Sequence, residues 1–187
     1  MKIWKLKSEL GEYESFQLLS QDKDFLNDFK DKILIGQLQK GKLENLELEL
    51  VEGEKYSDLP KLWSCSGILM FSERAKECLD DLLGNSVEYV EARTDNKTFY
   101  IVNILEILDA INYEEAVLRR LDTGLVVGFD KYSFLKEKIQ NLHMFKVLLN
   151  GKIYSTEIYV TEELKEKVEM EQLIGFKFEL VWDSEQE

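Results

Sequence analysis

Apolar side chains return at helical spacing along residues 22–34, where Phe25, Leu26, Phe29 and Ile33 share one face of an amphipathic helix. Residues 73–83 repeat the pattern, with Ala75, Cys78, Leu79, Leu82 and Leu83 on one stripe. Ser72 is placed to cap that helix, Glu73 sits where the dipole favours a carboxylate, and Gly84 is placed to close it in a left-handed turn. A third helix is predicted over 161–172, capped by Thr161 and ended by Gly175.

Elsewhere the period is two. Leu46, Leu48 and Leu50 alternate with Glu47 and Glu49, which predicts a half-buried strand with an acidic outer face. Further strands are predicted at 2–7, 13–19, 68–71, 87–92, 98–108, 117–121, 125–129, 144–149, 152–160 and 176–182. The run from Phe99 to Leu105 is nearly continuously apolar, as a central strand covered on both faces requires. Asn150-Gly151 between two strands is a type I′ hairpin signal. The order strand, cap, helix, glycine, strand occurs twice, at Phe71-Ser72-Glu73 through Val87 and at Val160-Thr161-Glu162 through Phe176. These elements predict an α+β fold, a mostly antiparallel or mixed sheet with about three helices packed against it. The single proline, Pro60, ends a polar stretch from Gly53 that is the nearest thing to a seam. One domain over 1–187 is expected, with an N-terminal subregion to residue 61, a core over 62–182 and a frayed tail at 183–187.

Charged residues make up 33% of the chain but are interspersed with 44% hydrophobic ones, so the chain folds rather than remaining disordered. Acidic residues outnumber basic ones 37 to 24, a formal charge of −13. Phosphate backbones and anionic lipids repel that charge, and no basic run exceeds pairs such as Arg119-Arg120, so neither nucleic acid nor a membrane surface is an expected partner. A cationic protein surface is attracted instead. Residues 44–58 hold six acids against one lysine, and Glu47 and Glu49 project together from one strand. Glu44, Glu47, Glu49, Glu52, Glu54 and Asp58 are therefore the candidate contact surface for a partner. Residues 1–10 lack the apolar core of a signal peptide, and no apolar stretch approaches the ~18 residues of a membrane span, which points to the cytoplasm.

Candidate chemistry is sparse. Cys65 and Cys78 form no C-x-x-C pair, and the single histidine, His143, cannot complete an ordinary zinc site. Trp63-Ser64-Cys65-Ser66-Gly67 matches neither a nucleophile elbow nor a cysteine-protease signature. Gly124-Leu125-Val126-Val127-Gly128 lacks the spacing and the Lys-Ser/Thr of a phosphate loop. No catalytic, cofactor-binding or metal-binding residue is assigned. The alternative is a small enzyme with a pocket built from Asn103, Asp109 and His143.

Phe71-Ser72-Glu73-Arg74-Ala75-Lys76, Val87-Glu88-Tyr89-Val90, and Tyr100-Ile101-Val102-Asn103-Ile104-Leu105 with Leu108-Asp109-Ala110 form one set of motifs. Ile158-Tyr159-Val160-Thr161-Glu162-Glu163-Leu164-Lys165 and Leu173-Ile174-Gly175-Phe176-Lys177-Phe178 form another. Over residues 69–182 the chain resembles the immunity proteins of bacterial polymorphic toxin systems, in the family numbered eleven. The resemblance implies an α+β protein, encoded beside a secreted toxin, that binds and neutralises the cognate toxin domain in the cytosol. It supplies no catalytic residues and no contact positions. A secretion adaptor or chaperone for a toxin is the neighbouring alternative.

Overall fold

The computed structural model describes residues 1–19, 22–39, 46–63 and 65–186. From the amino end these form β1 (Lys2–Ser8), β2 (Ser15–Leu19), α1 (Lys23–Leu34), β3 (Leu46–Glu52), β4 (Lys61–Leu62), β5 (Leu69–Ser72) and α2 (Glu73–Leu83). After a 3₁₀ turn at Gly84–Ser86 come β6 (Val87–Arg93), β7 (Thr98–Ile104), β8 (Ile107–Leu108), β9 (Val117–Arg120), β10 (Val126–Lys131) and the single turn α3 (Lys136–Ile139). The chain continues with β11 (Met144–Leu149), β12 (Lys152–Ile153), β13 (Tyr159–Thr161), α4 (Glu162–Met170) and β14 (Phe176–Asp183). This is an α+β fold. The one-turn α3 is the helix that periodicity does not announce, being too short to show a period.

The strands assemble into two mixed sheets and a separate ribbon. One sheet runs β4-β2-β3-β6-β7-β5, the other β12-β11-β13-β1-β14 with β8 alongside β11, and β9 pairs only with β10. Alternation along each strand sends successive side chains into different cores. Phe99 and Ile101 of β7 face α1 through Phe29 and Ile33. Val102 and Ile104 join Ala75, Leu79 and Leu83 of α2 and Leu164 and Val168 of α4 in a central core shared by both sheets. On the far side of the second sheet, Ile3, Phe145, Tyr159 and Trp182 pack against Phe129, Tyr132, Phe134 and Ile139.

The repeated strand–helix–strand unit takes the same topology twice. Both β5 and β6 run antiparallel to β7, which lies between them. Both β13 and β14 run antiparallel to β1, which lies between them. Each unit is thus a split β-α-β, and the two helices pack on one another.

Local signals translate directly where one turn or cap decides them. Asp22 Oδ1 accepts the amides of Asp24 and Phe25 at the start of α1, and Ser72 Oγ accepts the Ala75 amide at the start of α2. Asn150 and Gly151 both take positive φ, 51° and 73°, as a type I′ turn requires. Other expectations are corrected. The 98–108 run is two strands, because it leaves the first sheet after Ile104 and Ile107-Leu108 pairs in parallel with β11 of the second. Residues 152–160 likewise divide into β12 and β13, with β13 completing the repeated unit. Leu50, at the uncovered end of β3, is 54% exposed. Thr161 makes no side-chain cap bond, and Gln172, at φ 52°, takes the left-handed conformation beyond α4 before Gly175 is reached.

Candidate interaction surface

The sequence places Glu47 and Glu49 on the outer face of β3, and both are exposed. Register decides what stands beside them. Gln17 of β2 lies opposite Glu49 and donates Nε2 to its Oε2 at 2.7 Å. Glu47 lies opposite Arg93 of β6, whose guanidinium pairs with Glu91. Glu91 lies opposite Tyr100 of β7, and Tyr100 opposite Phe71, the residue that leads into α2. Burial pushes the Tyr100 phenol above its ordinary pKa, and the carboxylates of Glu73, Glu91 and Glu77 push it further. Lys76 Nζ sits 5.2 Å from the ring centroids of both Tyr89 and Tyr100.

The acidic surface therefore does not stop at the 44–58 stretch. From Glu49 and Glu47 it crosses the sheet to Glu91 and reaches Glu73 and Glu77 on α2, with Arg93 and Lys76 the cations within it. Glu91 sits two positions from Arg93 on the same face of β6, and the β3–β6 pairing, which sets Arg93 opposite Glu47, joins that face to the outer face of β3. Glu52 and Glu54 are exposed at the end of β3. There the Glu54 amide donates to the Glu12 carbonyl at 3.0 Å, and the Lys55 ammonium holds the Glu12 carboxyl below the usual carboxylate range. Glu44 lies outside the described residues.

Asp58 departs from the expectation. Its side chain is fully buried and accepts four hydrogen bonds: from Ser72 Oγ at 2.7 Å, Tyr56 Oη at 2.8 Å, the Ile174 amide at 3.0 Å and Arg74 Nη1 at 3.2 Å. Arg74 also donates to the Glu171 carbonyl. A carboxylate so enclosed offers no oxygen to a partner; it ties the segment before β4 to the start of α2 and to the turn that follows α4. Burial first, and Asp58 with it, push the Tyr56 phenol up to about 12.

The residues of the alternative enzyme pocket are dispersed. Asn103 is fully buried on β7, where its amide donates to the Gln37 carbonyl and to Glu88, each at 2.9 Å. Asp109 follows β8 and uses its carbonyl to accept Lys138 Nζ. His143 lines a separate cavity of about 450 Å³ with Asn141, Thr161 and Glu163, which neither Asn103 nor Asp109 lines; its Nδ1 is 3.3 Å from Thr161 Oγ1 and 3.7 Å from Glu163 Oε2. A larger cleft of about 650 Å³ opens between β1, β4 and residues 156–158, lined by Lys7, Lys61, Trp63, Cys65 and Glu157 among others. Burial pushes the Cys65 thiol up, the wrong direction for a nucleophile. Among the described residues no group of three or more His, Cys, Asp or Glu side chains is placed to hold a metal ion, and no helix is long and apolar enough to cross a membrane.

No curated protein matches the chain. The model of one family, described as an immunity protein family, matches residues 11–183. By that match, which takes in nearly every element of both sheets, the chain belongs to the immunity protein family Imm11.

Proposed function

We infer that this protein binds the toxin domain of a polymorphic toxin system in the bacterial cytoplasm and neutralises it by covering its surface, without catalysis of its own. Membership of the immunity family carries that reading. The charge of −13 and the stripe Glu49–Glu47–Glu91–Glu73–Glu77 support a toxin whose facing surface is basic, with Glu52 and Glu54 at the margin. Carboxylates of one sign over an exposed sheet raise the local concentration of a cationic partner and quicken its encounter, more so at low salt. Nucleic acid and membranes are not partners in this reading. Co-expression with the toxin gene that lies beside it tests the proposal: cells are expected to grow and the two proteins to co-purify. Failure to restore growth together with the absence of a stable complex would refute it.

A further inference from the structure

The longest of the described strands, β14, has eight residues and closes the second sheet at one end. On one side it pairs with β1; on the other it has no strand among the described residues. Two bonds of β1 fix which way its main-chain groups point. The Leu6 amide donates to the Ile158 carbonyl at 3.0 Å, on the β13 side, so Leu6 and Phe178, which face one another, turn their polar groups apart. The Glu9 amide donates to the Gly175 carbonyl at 2.8 Å, which gives positions 175, 177 and 179 to the bonds with β1. The amides and carbonyls of Phe176, Phe178 and Leu180 therefore point to the open edge. Lys177 and Glu179 between them are exposed, and Leu180 is 42% exposed.

An open edge of this length is a template for a further strand, and charges on natural edges ordinarily spoil the match. On β14 the charges select one. Antiparallel pairing with a second copy through the outward groups keeps even-numbered positions opposite even-numbered ones. Centred on Lys177, it sets lysine against lysine; centred on Glu179, it sets carboxylate against carboxylate. Centred on Leu180, it leaves Glu179 facing Val181. Centred on Phe178, it sets Lys177 opposite the partner's Glu179 and Glu179 opposite the partner's Lys177. These fall in the close pairs, with about 4.5 Å between Cα atoms, where opposite charges attract most. Phe176 then meets the partner's Leu180, Phe178 meets its own copy, and about six main-chain hydrogen bonds form. Within one chain Lys177 has no carboxylate partner among the described residues, and Glu179 has only Lys7, at 3.6 Å.

We propose that the outer edge of β14 is a homodimer interface, two copies joining edge to edge about a two-fold axis at Phe178 so that one sheet runs through both. The same patch is used on each copy, so the assembly closes at two. The pairing is independent of the toxin-binding reading. It uses the second sheet, whereas the acidic stripe lies on the first sheet and α2, and the two surfaces share no residue.

Sedimentation equilibrium of the full-length protein, from about 1 to 200 μM, reads the mass directly. At about 0.15 M salt the Debye length is about 8 Å, which mutes the repulsion between two copies of charge −13 and leaves the facing pairs attracted. The mass should rise with concentration from the 22.0 kDa of one chain towards twice that value. Lys177→Glu and Glu179→Lys should each raise the dimer dissociation constant at least about tenfold, because like charges then face one another. Both positions are exposed, so the thermal midpoint should stay near the parent value. An equimolar mixture of the two variants should associate about as tightly as the parent, since every facing pair is again of opposite sign. A parent that keeps the mass of one chain over the whole range overturns the inference. So does a dimer indifferent to both substitutions, or a mixture that associates no better than either variant alone.

Discussion

Asp58→Ala is the substitution whose cost the structure defines most fully. The side chain it removes is wholly buried and accepts from four donors. Tyr56 and Arg74 are about half-exposed, so their freed donors can turn to water. The Ser72 hydroxyl is buried and the Ile174 amide is partly so; neither has an easy substitute. Two orphaned donors at about 1–3 kcal/mol each give roughly 4 kcal/mol, within the 3–5 kcal/mol typical of a broken buried charge network. Two main-chain bonds at the same place persist, from the Asp58 amide to the Ile174 carbonyl and from the Ser72 amide to the Asp58 carbonyl, so the variant still folds. At about 2–4 °C per kcal/mol for a chain of this size, the thermal midpoint should fall by about 10 °C. Urea unfolding should show a lower midpoint at unchanged slope. A loss below about 1 kcal/mol would show the network to be dispensable. Weakened toxin binding at unchanged stability would return Asp58 to the contact surface.

Lys146 is 1% exposed, donates Nζ to the Leu34 carbonyl at 3.1 Å, and is pushed down to about 8 by burial. Because the unfolded chain binds that proton more tightly, its contribution to stability rises from about pH 8 to pH 10.5, by up to about 3 kcal/mol. Lys146→Met should therefore be the more stable protein at pH 7, with its advantage over the parent shrinking towards pH 10 in urea titrations; a constant difference would refute this. Gly67 and Gly151 separate strain from collision. Both have positive φ, but a Cβ at Gly67 would lie 1.9 Å from the Ser155 carbonyl oxygen, whereas nothing lies within 4 Å at Gly151. Gly151→Ala should cost about 1 kcal/mol and Gly67→Ala at least about 3 kcal/mol by chemical denaturation; equal losses would contradict the close approach. Glu47→Lys with Glu49→Lys and Glu91→Lys should slow association with the toxin domain at least about tenfold at low salt and flatten its salt dependence, with stability within about 0.5 kcal/mol of the parent. An unaltered association rate would remove the acidic stripe from the encounter.

Features set by a few neighbouring residues can be read directly from the amino-acid order. Asn150-Gly151 makes its turn because both positions tolerate positive φ, and Ser72 starts α2 because its hydroxyl reaches an amide three residues on. The stripes of α1 and α2 were legible because helical neighbours lie three or four residues apart, although Phe25, at the start of the α1 stripe, is left 36% exposed. Everything that depends on which strand lies beside which is set by long-range pairing. Nothing near Ile3 states that β1 divides β13 from β14, nor does the apolar run from Phe99 to Leu108 state that it serves two sheets. The recurring strand–helix–strand order was visible, but its split topology waits on the strand inserted into each unit, β7 from directly after β6 in one and β1 from the far end of the chain in the other. The same reason governs the surface. Glu47 and Glu49 were legible as one face of one strand, whereas the burial of Asp58 and the reach of the stripe to Glu91 and α2 are set by long-range pairing. The open edge of β14 also rests there, because a period-two pattern describes the two faces of a strand and only its neighbours determine whether its edges are paired.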